Sequence, residues 1–245
     1  MSVLGQVRQT FAKALQIASD NSMFTELPDC SLLSTVRHIS IKVQHLTDIV
    51  KVTCRYVETG DINFEINFLV RDEEMGKKCI MTATLTSGQG FTVSTTGGDH
   101  VMDVRLPNHS EEAIGKILHP SQATLYKILY GRQSGERRQY NVFKIGNQQI
   151  FLVVEKMPFS LYSVGKIFGL LETNCAYFFK RVDGTIIGEC RPKLALSGRT
   201  ISIKFGPRQS DVQSKAVVLG TTLLLLLHDV YPELKTVLQA SLIDE

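Results

Sequence analysis

The residues in this chain with the clearest capacity for chemistry are arginines and lysines. Arg132, Arg137 and Arg138 fall within Gly131-Arg132-Gln133-Ser134-Gly135-Glu136-Arg137-Arg138, a glycine- and serine-containing stretch that reads as a loop. Lys180, Arg181, Arg191, Lys193, Arg199, Lys204 and Arg208 lie on or between the last alternating segments. A guanidinium donates two parallel hydrogen bonds from a planar fork, which suits phosphate and carboxylate ligands. These residues are therefore candidate anion ligands. The competing reading is a solvated polar face on alternating strands.

Other reactive residue types form no recognisable constellation. His38, His45, His100, His109, His119 and His228 show no metal-ligand spacing. Asp72-Glu73-Glu74 runs into Met75-Gly76-Lys77-Lys78 and reads as a charged hairpin loop. There is no Gly-x-Ser-x-Gly elbow and no phosphate-binding Gly-Lys-Ser/Thr loop. The expectation is a non-enzyme with no metal, no cofactor and no small-molecule substrate. A net charge of +3 is too small to suggest a nucleic-acid partner.

Cys30, Cys54, Cys79, Cys175 and Cys190 are scattered, and the odd count does not suit a disulfide framework. The first residues lack the apolar run of a secretory signal. Both features point to a cytoplasmic protein, not a secreted one, with peripheral membrane association open to it.

These residues must be positioned by something, and the patterning is mainly β. Ile39, Ile41 and Val43 alternate with polar neighbours, as do Phe64, Ile66, Phe68 and Val70, and Ile201, Ile203 and Phe205. Val50, Val52, Cys54 and Tyr56 read the same way and are assigned to a strand. Period-two patterning puts one face on a core and the other in water, which favours antiparallel pairing. Gly97-Gly98, Gly146-Asn147 and Asp183-Gly184 punctuate these runs as hairpin turns. About twelve strands without helical crossovers point to a closed antiparallel barrel or a sandwich.

Two segments depart from that pattern. Residues 2–18 read as an amphipathic helix with Val3, Val7, Phe11 and Leu15 on one side, so residues 1–22 form an N-terminal helix or tail. Ala216 to Leu227 carries no charge and must be buried in protein or lipid. A run of about 12 residues covers some 18 Å, short of the roughly 30 Å of a hydrocarbon core. A barrel of about twelve strands is too wide for its own side chains to fill, so a helix over about 212–228 threaded through it fills the void. Residues 23–245 therefore form a single domain: a barrel around a central hydrophobic helix.

The segments Tyr177-Phe178-Phe179-Lys180-Arg181-Val182-Asp183-Gly184-Thr185-Ile186-Ile187-Gly188, Ile201-Ser202-Ile203-Lys204-Phe205 and Ser214-Lys215-Ala216-Val217-Val218-Leu219-Gly220 carry a resemblance. They resemble the C-terminal half of phospholipid scramblases, within the wider group that includes LURP-one-related and tubby C-terminal proteins. The likeness spans about residues 140–231, and the Lys-Ala-Val-x-Leu-Gly helix start is its most specific element. It implies a twelve-stranded barrel around a hydrophobic helix and, by likeness to tubby proteins, phosphoinositide head groups held by basic side chains on the barrel exterior. The chain departs from scramblases at Ser197–Lys204, which holds no carboxylate where they carry an acidic calcium-associated segment. Their palmitoylated cysteine clusters and proline-rich leader are also missing, which speaks against scrambling and calcium control.

Three functions follow as expectations. The first is a non-catalytic module that binds anionic membrane lipid through a basic barrel surface. The second is a scaffold holding protein partners through Val7, Phe11 and Leu15 of the N-terminal helix and through Ile167 and Phe168 of the apolar, glycine-interrupted stretch Gly165–Leu171. Lipid scrambling is the third and least supported.

Overall fold

All but one of the alternating segments form strands, and the strands close on themselves. The structure is a computed structural model that describes residues 24–107, 113–134, 137–158, 175–193, 200–206 and 211–242. Its twelve strands are β1 (His38–Val43), β2 (Glu65–Asp72), β3 (Lys78–Thr86), β4 (Gly90–Thr95), β5 (His100–Arg105), β6 (Ala113–Leu118), β7 (Thr124–Ser134), β8 (Arg137–Lys144), β9 (Gln149–Pro158), β10 (Cys175–Lys180), β11 (Ile186–Lys193) and β12 (Thr200–Phe205). Each pairs antiparallel with its sequence neighbours, and β1 closes the ring against β12 through pairs such as Ile39 with Ile203. Closure removes the exposed edges on which sheets aggregate.

The alternation maps directly onto burial. Ile66, Phe68 and Val70 of β2 point inward with Met81, Ala83 and Leu85 of β3, and all are buried. Turn chemistry is as expected at two of the three hairpins: Gly98 and Gly184 adopt left-handed φ values of 95° and 86°, where glycine carries no Cβ penalty. At the third, Ile145–Asn147 forms a 3-10 turn and Gln148, not Gly146, takes the left-handed φ of 51°. Asp183 further fixes its turn by accepting from the Thr185 amide.

One expectation fails. Val50, Val52, Cys54 and Tyr56 lie not on a strand but on helix α1 (Leu46–Thr59), which links β1 to β2. Ile49 and Val52 are buried and Tyr56 packs against the core. Those positions satisfy a helical repeat as well as Val50, Val52, Cys54 and Tyr56 satisfy an alternating one. Asp48 in the first turn and Gly60 as a left-handed C-cap are the start and stop signals that decide it.

The apolar segment becomes α2 (Val212–Asp229), whose residues Ser214 to Leu227 are buried without interruption. Gly220 lies against Ile117 of β6 and Met102 of β5, and Val218 faces Gly188 of β11. In a ring of twelve, β5 and β11 are opposite each other. A helix touching both occupies the lumen. Gly115 of β6 lets it approach closely: a Cβ there would stand 2.5 Å from Leu224 Cδ2 and 2.6 Å from the Arg105 carbonyl. Asp211 caps the helix by accepting from the Ser214 amide at 2.7 Å.

Helix α2 turns by 99° into α3 (Pro232–Ser241), and neither is by itself long and apolar enough to cross a membrane. Tyr231, Leu234, Val237 and Leu238 are buried, with the Tyr231 ring edge-on to Phe68. The antiparallel order gives the barrel two distinct ends. The upper end holds the start of α2 and the β2–β3, β8–β9 and β10–β11 turns. At the lower end lie the finish of α2, α1, α3 and the β7–β8 hairpin.

Candidate functional site

The β7–β8 hairpin assembles three of the predicted arginines. Arg132, Arg137 and Arg138 line one open groove of about 250 Å³ together with Gln139, Glu155 and Lys156. All three arginines are exposed. The geometry follows from strand alternation: Tyr140 and Val154 pair across β8 and β9 and are buried, so the next inward positions toward the lower rim are Arg138 and Lys156, themselves cross-strand partners. A position that would be apolar in mid-barrel thus becomes basic where the lumen opens to solvent.

Lys156 is held firmly. Its ammonium donates to Asp229 Oδ1 at 2.5 Å, and the Tyr177 hydroxyl donates to Asp229 Oδ2. Burial, then the negative charge and hydrogen bond of Asp229, push the Tyr177 phenol well above its ordinary range. Asp229 closes the C-terminus of α2, where a carboxylate meets the negative end of the helix dipole. Lys156 offsets that repulsion. His228 beside it accepts a hydrogen bond at Nδ1 from Lys235 Nζ, 3.1 Å away. Burial, followed by the Lys235 charge, depresses the His228 imidazole to about 4.

Glu155, the carboxylate in the groove wall, is bonded to Lys180 at 2.6 Å. With Lys156 matched by Asp229 and Glu155 by Lys180, the three arginines remain as the groove's uncompensated charges among the described residues. Burial raises the Tyr140 phenol pKa, and the charge of Arg138 beside that hydroxyl acts to lower it. Such a groove can hold a multiply charged anion.

The remaining predicted cations do not join this cluster. Lys180 stands nearest, through Glu155. Arg181 reaches Asp211 at the upper end, 3.5 Å away, and Arg191 pairs with Glu189 on its own strand. Lys193 bonds Glu73 at 2.7 Å. Lys204 is exposed on β12 opposite His38. Arg199 and Arg208 lie outside the described residues, as do Val7, Phe11, Leu15, Ile167 and Phe168.

Sequence reasoning missed Lys156, Tyr177 and Asp229. Lys156 carried a readable signal, a charge at an inward position two residues beyond Val154. Its partner, 73 residues away, carried none. Among the described residues no group of histidine, cysteine or carboxylate side chains could hold a metal ion. No protein-family model matches the chain, and no curated protein matches it.

Proposed function

We propose that this chain is a non-catalytic barrel module of the tubby- and scramblase-like type, binding anionic phospholipid head groups, phosphoinositides foremost, at a membrane surface. The carrying observation is the convergence of Arg132, Arg137 and Arg138 on one solvent-open groove at the barrel's lower rim. Arginine forks on three positions suit a polyphosphorylated head group better than a single carboxylate. The packed lumen supports the same reading from the other side. With α2 filling the barrel, the interior is a scaffold and recognition falls to the rim.

Vesicle flotation with and without a phosphoinositide tests the proposal. Reversing Arg137 and Arg138 to glutamate should weaken binding by roughly 2–4 kcal/mol at low salt, since each basic residue near an anionic surface contributes about 1 kcal/mol. Binding should also fall as salt is raised. Flotation that is unchanged in the reversed variant would eliminate the groove as the lipid site.

A further inference from the structure

Helix α1 is apolar on more of its surface than the barrel covers. Ile49 and Val52 are buried, but Leu46, Val50 and Val57 are 42%, 58% and 77% exposed, and Cys54 is exposed with them. These four stand at i, i+4, i+8 and i+11, one continuous outward stripe. Lys51, Arg55, Asp48 and Glu58 occupy the other exposed side, with Lys51 3.8 Å from Asp48 and Arg55 3.5 Å from Asp61. The helix is therefore amphipathic toward the exterior as well as toward the core. Scattered single hydrophobics on a surface need no explanation, but an aligned row does.

The position of this row limits what can cover it together with the groove. Helix α1 leaves β1 and enters β2 at the lower end, the end that carries the arginine groove. The groove lies at β7–β9, and β2 stands opposite β8 in the ring of twelve. A small anion fills the groove without reaching α1. An occupant that meets both must extend across the rim, presenting negative charge on one side and an apolar layer on the other. A bilayer surface has both properties, in its head groups and its acyl boundary.

We propose that Leu46, Val50, Cys54 and Val57 form a membrane-inserting stripe that enters the acyl boundary while the arginine groove holds an anionic head group. This rests on the groove reading above and adds a second, non-electrostatic contact. Lys51 and Arg55 on the polar side are placed to stay at head-group level, as in interfacial helices generally.

The test separates the two contacts in the full chain. Val50→Gln combined with Val57→Gln removes apolar surface from exposed positions without adding charge, and glutamine is a good helix former. Partitioning onto phosphatidylcholine vesicles containing a phosphoinositide should fall about tenfold or more, given the transfer free energy of two valines. Affinity for inositol hexakisphosphate, a soluble probe of the groove alone, should be unchanged. An environment-sensitive fluorophore on Cys54, in a Cys79→Ser background, should shift to the blue on vesicle binding. A double variant that floats like the parent protein, or a Cys54 probe that stays in water while the protein is vesicle-bound, overturns the stripe and leaves the groove intact. Loss of both vesicle and inositol hexakisphosphate binding in the variant also overturns it, since the substitutions would then act through the groove. A parent protein that binds neither overturns the groove reading and this inference with it.

Discussion

Replacing Lys215 by methionine should destabilise the protein substantially while leaving the lower rim untouched. Lys215 is 5% exposed, one turn into α2. Its ammonium donates to the carbonyls of Leu33, Ser34 and Val36 at 2.8, 3.1 and 2.7 Å and sits 5.5 Å from the centre of the Phe205 ring. No carboxylate among the described residues pairs with it, and a positive charge near a helix N-terminus is disfavoured. The three carbonyls are therefore what keep it there, and through them Lys215 fastens the segment before β1 onto the lumen helix. Burial draws the lysine pKa below its ordinary value, so removing the ammonium recovers part of a desolvation cost. Against that, the Leu33 and Val36 carbonyls are left buried without donors, at about 1–3 kcal/mol each. The net loss is about 2–4 kcal/mol, or roughly 5–15 °C in Tm for a domain of this size. The chain has no tryptophan, so near-ultraviolet circular dichroism of its tyrosines during urea unfolding is the suitable readout. A Lys215→Met protein within about 0.5 kcal/mol of the parent would refute the reasoning, since that is the range of an ordinary surface change.

Two further outcomes follow from the same geometry. Gly115→Ala should cost about 1–3 kcal/mol by overpacking. Adding Leu224→Ala should not restore stability, because the Arg105 backbone carbonyl still blocks the new Cβ and because shortening Leu224 leaves a cavity; urea titration of single and double variants decides this. His228 should make stability fall on acidification. Its folded pKa of about 4 lies below the ordinary 6.5, so between those values the unfolded chain binds the extra proton. The cost by pH 4 is on the order of 3 kcal/mol. Burial is the main cause of this shift, followed by the Lys235 charge, and the neighbouring Lys235, Asp229 and Lys156 all remain in His228→Gln, so the difference between the two stability–pH curves isolates the imidazole. A constant difference between pH 4 and pH 7 would show that His228 does not titrate as a buried neutral group.

Much of this architecture was legible in the sequence because its signals are local. Ile66, Phe68 and Val70 alternate, and alternation needs no knowledge of partners. Ala216 to Leu227 lacks charge, and lack of charge plus short length demands a protein interior. The misreading at Val50–Tyr56 has an equally local cause. An amphipathic helix that is apolar on two faces produces apolar residues at even spacing, and the strand template fits them. The exposed stripe proposed to meet lipid is thus the same feature that imitates a strand. Arg132, Arg137 and Arg138 were readable as a group because one hairpin carries them all. The other basic residues looked equivalent in sequence, and what distinguishes them is long-range: Glu73 for Lys193, Asp211 for Arg181, Glu155 for Lys180. No spacing rule reports such neutralisation.

The two barrel ends differ in how their polar groups are used, and the proposed binding role rests on that difference. At the upper end Lys215, Asp211 and Gln213, the polar groups of the α2 start, are consumed internally. Lys215 is used by carbonyls, Asp211 by the helix cap and Arg181, and Gln213 by both backbone groups of Leu27. At the lower end the internal requirement stops at Asp229, which is met by Lys156 and Tyr177. On the hairpin beyond that point, Arg132 and Arg137 have no carboxylate partner among the described residues. Arg132 and Arg137 contribute charge repulsion to the folded state and little burial. A chain optimised for stability alone has no physical reason to place them there, whereas one that meets an anionic surface at its lower rim does.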